Sequence, residues 1–416
     1  MKIFSQTRAP HLLLKAGGHG REIKAVSASR KFVATGAEDT MIRIWELQGK
    51  NPLLRCVLAL EKHNTGIQKL KWFKDQYLFS SGGNEEFFAW RVTPLESDIC
   101  PLGVVCEAVF PDRSDVGDLR ITDFDVQCLE EDPSIYDGAE DGLERTPTEP
   151  VFCISMSLSN STVQSYLYSA QQGFRLLGRR MYTGACPTQL RHLNFKDRYY
   201  PQVLTAATDG HLAVFADVRS SGNETEDLTN ILVTKLHQSS IKSLDMRSIT
   251  TDNGISYLVV TGGDDDAIGV LHLYSPSLAP SGSSASPDPT HASQPSHYSQ
   301  GQASTQYEIR NKFIVRSAHA AAVTGLGIVR LENAGRDAVI VTSSNDQRVK
   351  TWRLVDWQSA APRVHLLDNQ YSGVADAGDL EVLEEWYGDE DEKLLSKGDR
   401  GRILVAGVGV EAWSVS

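Results

Sequence analysis

The run Val33-Ala-Thr-Gly-Ala-Glu-Asp-Thr-Met-Ile-Arg-Ile-Trp45 sets a small hydroxyl at Thr35, a carboxylate at Asp39 and an indole at Trp45, spaced four and six apart. Apolar residues lie on both sides of a Gly/Asp/Thr turn, the pattern of two short strands joined tightly. The spacing returns at Ser80, Asn84 and Trp90, at Thr205, Asp209 and Phe215, at Thr261, Asp265 and Leu271, and at Thr342, Asp346 and Trp352. Met156, Asn160 and Tyr166 make a degenerate sixth copy. Recurrence of this kind means one supersecondary unit used repeatedly.

Upstream of each copy a residue is followed by apolar positions at +4 and +7. The sets are His19, Ile23, Val26; His63, Ile67, Leu70; His237, Ile241, Leu244; and His319, Val323, Leu326. Cys186, Leu190, Leu193 keep the spacing without the histidine, as do Gly117, Ile121, Phe124 and Asp376, Leu380, Leu383. The last set leads into a shortened hairpin, Val405-Ala-Gly-Val-Gly-Val-Glu-Ala-Trp413, which completes seven units.

These residues resemble the WD-repeat family, whose blade carries Gly-His near its start and Trp-Asp near its end. The resemblance implies an all-β fold, a WD-repeat β-propeller of about seven blades. It also implies a hydrogen-bonded network inside each blade. His19, Thr35, Asp39, Trp45 and His319, Thr342, Asp346, Trp352 match it fully. His63, Ser80, Asn84, Trp90 and His237, Thr261, Asp265 are read as the corresponding sets. A buried imidazole needs a partner at each nitrogen, and the Asp and the hydroxyl supply them. Each blade has an apolar face that only its neighbour can cover, so residues 1–416 are expected to form one closed domain. The segment Ile3 to Lys15 is expected to close the ring as the outermost strand of blade seven.

The net charge of −12 is local. Residues 128–150 hold eight acids and one base, residues 384–399 hold seven acids and two bases, and the remainder is neutral overall. A third insertion, 275–306, is rich in Ser, Pro, Gly, His and Gln and reads as disordered. Blade topology sends all three to one face and leaves the opposite face short-looped. Arg21, Arg179, Arg180, His211, Gln347 and Arg348 are the candidate partner or RNA contacts on that open face. Six sparse cysteines without a CxxC pair, no long apolar run and no leader-like N-terminus read as a reduced, soluble, cytoplasmic protein. Cys56 and Cys153 are expected to serve as small buried hydrophobes.

No phosphate loop, HExxH, GxSxG or zinc spacing occurs, so no catalytic, cofactor-binding or metal residue is assigned. Four strings go beyond the general repeat pattern: Gly-Gly-His-Gly-Arg-Glu-Ile (17–23), Ser-Ser-Asn-Asp-Gln-Arg-Val-Lys-Thr-Trp (343–352), Val-Ala-Asp-Ala-Gly-Asp-Leu (374–380) and Val-Ala-Gly-Val-Gly-Val-Glu-Ala-Trp (405–413). With them the chain resembles the C-terminal propeller of the WD-repeat subunit of a tRNA ribose 2′-O-methyltransferase complex. That resemblance implies a non-catalytic subunit that directs an FtsJ-type partner to the anticodon wobble nucleotide, without cofactor, small-molecule substrate or membrane. The alternative is a general interaction adaptor such as a ubiquitin-ligase substrate receptor. Such receptors carry Trp-Asp-x-Arg, and Phe215-Ala-Asp217-Val-Arg219 is the nearest string here.

Overall fold

The computed structural model describes residues 2–4, 18–47, 54–97, 101–111, 114, 117–129, 149–182, 184–193, 202–217, 228–276, 307–383 and 401–415. Strands account for all regular structure among them, and they form seven sheets. Blade one is β2 (Ile23–Ala28), β3 (Phe32–Ala37), β4 (Ile42–Leu47) and β5 (Leu54–Leu60). Blade two is β6 (Ile67–Phe73), β7 (Tyr77–Gly82), β8 (Phe87–Pro94) and β9 (Leu102–Val109). Blade three is β10 (Ile121–Leu129), β11 (Val151–Leu158), β12 (Thr162–Ser169) and β13 (Gly173–Met181). Blade four is β14 (Pro187–Leu193), β15 (Gln202–Ala207), β16 (His211–Asp217) and β17 (Leu228–Lys235). Blade five is β18 (Ile241–Thr251), β19 (Gly254–Gly263), β20 (Ile268–Pro276) and β21 (Glu308–Val315). Blade six is β22 (Val323–Glu332), β23 (Asp337–Ser344), β24 (Arg348–Val355) and β25 (Arg363–Tyr371). Each is a four-stranded antiparallel meander in chain order.

Blade seven differs. It holds β26 (Ala375–Leu383), β27 (Gly401–Val415) and β1 (Lys2–Phe4). The hairpin expected at Gly407-Val-Gly409 is replaced by a change of partner within one strand. Residues up to Val408 pair with β26, and Glu411 to Trp413 pair in parallel with Lys2 to Phe4. Gly409 takes φ +118° between the two halves, a value that favours glycine. Among the described residues the sheet has three strands. The N-terminal strand does join the last blade, through Lys2–Phe4; residues 5–15 of the expected segment lie outside the described residues.

A β-bulge explains the +4/+7 spacing. Two residues three apart on a strand ordinarily face opposite ways. The register shifts at the start of every inner strand, between Ile23 and Ala25, Ile67 and Lys69, Ile121 and Asp123, Pro187 and Gln189, Ile241 and Ser243, Val323 and Gly325, and Ala375 and Asp379. The extra residue reverses parity, so that Ile23 and Val26 are both buried. In blades four and seven the shift comes before Leu190 and Leu380, so the residues that match Ile23 and Val26 there are Pro187 with Leu190 and Ala377 with Leu380, three residues earlier than the spacing from Cys186 and Asp376 suggests.

Each pair of neighbouring blades shares an apolar seam. Ile44 packs with Trp72 between blades one and two, and Phe79 with Phe152 between two and three. Val163 and Leu190 join three to four, Leu204 and Leu244 four to five, and Val260 and Ile328 five to six. Val341 and Leu380 join six to seven, and Leu404 and Val26 join seven to one. The seventh seam closes the ring.

The acidic 128–150 insertion begins after Leu129, since Cys128 and Leu129 belong to β10, and residues 130–148 lie outside the described residues. Ser275 and Pro276 likewise belong to β20, so the 275–306 boundary moves to 277, with 277–306 outside the described residues. Residues 384–400 follow β26 and are outside as well. Cys153 is buried as expected of a small hydrophobe, whereas Cys56 is exposed on the outer strand β5.

Candidate interaction surface

The loops before β2, β6, β18 and β22 bring each histidine over the turn between the second and third strands of its own blade. In blade one His19 Nδ1 lies 3.0 Å from Asp39 and Nε2 lies 2.8 Å from the Thr35 hydroxyl, which accepts the Trp45 indole N–H at 2.8 Å. Blade six repeats this, with His319 3.0 Å from Asp346 and 2.8 Å from Thr342, and Trp352 3.0 Å from Thr342. In blade five His237 reaches Asp265 at 2.7 Å and Thr261 at 2.8 Å, while Leu271 fills the indole position. A proton on Nδ1 donates to the carboxylate, and the bare Nε2 accepts from the hydroxyl. Burial lowers the pKa of His19 and His319 below its usual value, against the pull of Asp39 and Asp346, and so favours this neutral form.

Blade two departs from the expected set. His63 and Ser80 are 2.8 Å apart and Trp90 donates to Ser80 at 2.8 Å, but the carboxylate is Glu86, not Asn84. Asn84 and Glu85 both take left-handed φ, at +53° and +54°, which swings the Asn84 position away. Glu86, two residues further along, reaches His63 at 3.0 Å with its longer side chain and accepts from Asn64 and Thr65 as well. Burial opposes its charge, but His63 and Asn64 outweigh it and lower its pKa to about 2.

Blade four has no histidine before β14. Tyr182 occupies that place, donating to Asp209 at 3.1 Å, and burial followed by the Asp209 charge raises its pKa to about 12. Thr205 lies buried beneath, and Phe215 fills the indole position. Blade three turns on Asn160, which accepts from Thr162.

A second cluster was not legible in the sequence. His192 Nε2 of β14 lies 2.8 Å from Ser155 Oγ of β11, and its Nδ1 is 3.7 Å from Asp125 of β10. Burial lowers the pKa of His192 to about 4. The geometry echoes a nucleophile with its base, yet Ser155 is wholly buried and Cys153 packs beside it, so the cluster locks blade three to blade four. No group of His, Cys, Asp and Glu among the described residues is arranged to hold a metal ion.

The six candidate contacts fall at the end of the propeller where these histidine loops lie. Arg21, Arg179, Arg180 and Arg348 are exposed, and Gln347 is half-buried with left-handed φ. Arg348 stands 5.7 Å over the Tyr371 ring, whose hydroxyl donates to Gln347. His211 is engaged within its own blade, 3.2 Å from Asp209. Arg219, of the Phe215–Arg219 string, lies outside the described residues.

Apolar side chains gather at this same end. Nine large ones are exposed among the described residues, and five are here: Val109 (46%), Met181 (58%), Val233 (48%), Tyr371 (57%) and Val408 (55%). Four close the outer strands of blades two, three, four and six, and Val408 sits between the halves of β27. The motif sequences contain no sign of this rim, because outer strands carry no shared residue type.

The family model for the WD domain, G-beta repeat, matches residues 11–46, which contain the complete His19–Trp45 set. No curated protein matches the chain. Seven blades in a closed ring and the repeat in the first of them make this fold a WD-repeat β-propeller.

Proposed function

We propose that this propeller is a non-catalytic docking scaffold whose working surface is the short-looped face. The observation that carries the reading is the rim of exposed apolar side chains there, interleaved with arginines at Arg180 beside Met181 and Arg348 beside Tyr371. Exposed apolar side chains that cluster, with basic residues around them, are characteristic of interaction sites. The histidine networks beneath are fully engaged in holding the loops, which suits a rigid platform.

The partner we propose is an FtsJ-type methyltransferase, with the propeller as the targeting subunit of a cytoplasmic tRNA ribose 2′-O-methyltransferase complex. The four sequence strings support this finer reading. A scaffold that holds enzyme and anticodon loop together raises their effective concentration and performs no chemistry itself.

Methylation of the wobble ribose, measured by mass spectrometry of tRNA from cells carrying variants, tests it. Arg180→Glu with Arg348→Glu should reduce the modification at least tenfold, and neutralising Glu130, Glu131 and Asp132 should not. Unchanged wobble methylation after gene deletion would remove the tRNA reading. Crosslinking of a non-methyltransferase partner to the same rim would then establish the general adaptor.

A further inference from the structure

β13 and β17, the outer strands of blades three and four, lie against each other. Register decides which of their side chains meet in the groove between them, because residues opposite each other on paired strands share a sheet face. Arg180 stands opposite Val163, which packs into the seam with Leu190 and Phe215 of blade four. Val233 and Lys235 stand opposite Ala213 and His211, and Ala213 belongs to the same seam. Arg180 therefore faces blade four, and Val233 and Lys235 face blade three. All three are exposed, and neither cation makes an ion pair among the described residues.

The lack of counterions has a cause in the sequence. Residues 150–196 contain no Asp or Glu, in a chain with 53. At this end of the two blades Asp209 is engaged, accepting from Tyr182 at 3.1 Å and standing 3.2 Å from His211. On the blade-two side Asp112, Asp115 and Asp118 share their connection with Arg113 and Arg120, and its Ser114 is tied to Glu85. Lys312 of blade five adds a further cation, donating to the Thr234 hydroxyl at 2.9 Å and the Lys235 carbonyl at 3.1 Å. The acidic insertion of blade three, Asp197, and Glu224, Glu226 and Asp227 all fall in connections at the other end of the sheets. Arg180 stands roughly 23 Å along β13 from Gly173 at that end, at about 3.3 Å per residue. That is more than about two Debye lengths at physiological salt.

We propose, resting on the reading of the short-looped face as the docking surface, that this groove takes an acidic segment of a protein partner. A large apolar side chain of the segment seats on Val233, and its carboxylates meet Arg180 and Lys235. An arginine fork matches a carboxylate through two charge-assisted hydrogen bonds, and here no existing pair has to break first. An apolar contact ringed by such charges has the anatomy of a protein interface. Val233 offers no ring on which a nucleic-acid base could stack, and Tyr182 at the head of the groove is buried.

Selection of random peptides displayed on phage against the full chain, followed by fluorescence anisotropy with the selected peptides, tests the groove. Enriched sequences should place Asp or Glu beside Leu, Met or Phe, and should bind at one site. Arg180→Ser with Lys235→Ser should weaken them at least tenfold, whereas Arg348→Ser on blade six should change affinity less than twofold. Both groove cations are exposed, so the double variant should melt with the wild type, which the same samples check. Enrichment of peptides without acids, or equal weakening by Arg348→Ser, would overturn the proposal. So would anticodon stem-loop RNA that binds through Arg180 and Lys235 more tightly than any selected peptide. A groove that fails while Arg348→Glu still lowers wobble methylation loses its role as the anchor, and the short-looped face remains the docking surface.

Discussion

His63 shows what a residue in this molecule requires. It needs an acceptor at Nδ1 and a donor at Nε2, and the identity of the acceptor is secondary. The sequence spacing pointed to Asn84, yet turn conformation selected Glu86. Glu86→Ala should therefore cost about 1–3 kcal/mol, the cost of a buried polar group left without its partner. Asn84→Ala should cost less than half as much by urea denaturation; the reverse order would restore Asn84 to the network. In blade six Asp346→Ala should cost a similar ~1–3 kcal/mol, whereas Arg348→Ala on the adjacent surface should stay within ~0.5 kcal/mol. The buried histidines also set a pH dependence. His19, His63 and His319 have lowered pKa values in the folded state, so the unfolded chain binds more protons below about pH 6.5. Stability contributed by these groups is present above that pH and lost on acidification. Melting at pH 7.5 and 5.5 should show the fall, and His319→Gln should reduce it.

At the scale of elements, the inner strands were half-legible. Their apolar positions stood out by spacing, and the bulge that makes this spacing workable repeats in all seven. Their channel-facing positions did not stand out, because each blade fills them differently. One step past Val26, Leu70, Phe124, Leu190, Leu244, Leu326 and Leu380 stand Ser27, Lys71, Asp125, Arg191, Asp245, Gly327 and Glu381. Opposite charges alternate from blade two to blade five, and then the alternation breaks: Glu381 has Gly327 on one side and Ser27 on the other. Buried among these, with Asp379 close by, its carboxyl titrates near 7. The sign is opposite to that of the histidines. A raised carboxyl pKa means that the folded state holds the extra proton, so its contribution falls as pH rises from about 4.5 through 7. Glu381→Gln keeps an acceptor for the Ala28 N–H and should raise the melting temperature at pH 8 while leaving it unchanged at pH 5. A lower value at pH 8 would show that Lys69 and Lys71 favour the ionised form. Outer strands were least legible. They bury one face and leave the other to solvent, so their rim of Val109, Met181, Val233 and Tyr371 follows no repeat rule.

For the whole molecule, six blades are self-contained meanders and the seventh is assembled from both parts of the chain. Two devices hold it to blade one. Lys2–Phe4 pairs with Glu411–Trp413, and Asp379 and Glu381 accept the Val26 and Ala28 N–H groups. Removal of residues 1–4 should leave blades two to five protected in hydrogen exchange and speed exchange in β2, β26 and β27. Uniform loss of protection across all seven blades would instead mean that the ring unfolds only as one unit. The seam between blades seven and one also has a consequence for synthesis. Ile23, Val33 and Trp45 leave the ribosome more than 350 residues ahead of the side chains that cover them, Leu404, Ala406 and Ala412. Blade one therefore waits through the synthesis of the other six with an apolar flank uncovered, and the contacts that end the wait join residues more than 350 positions apart. Folding should be slow at that final step. The interval before it is when a nascent chain most needs a chaperone on its first blade.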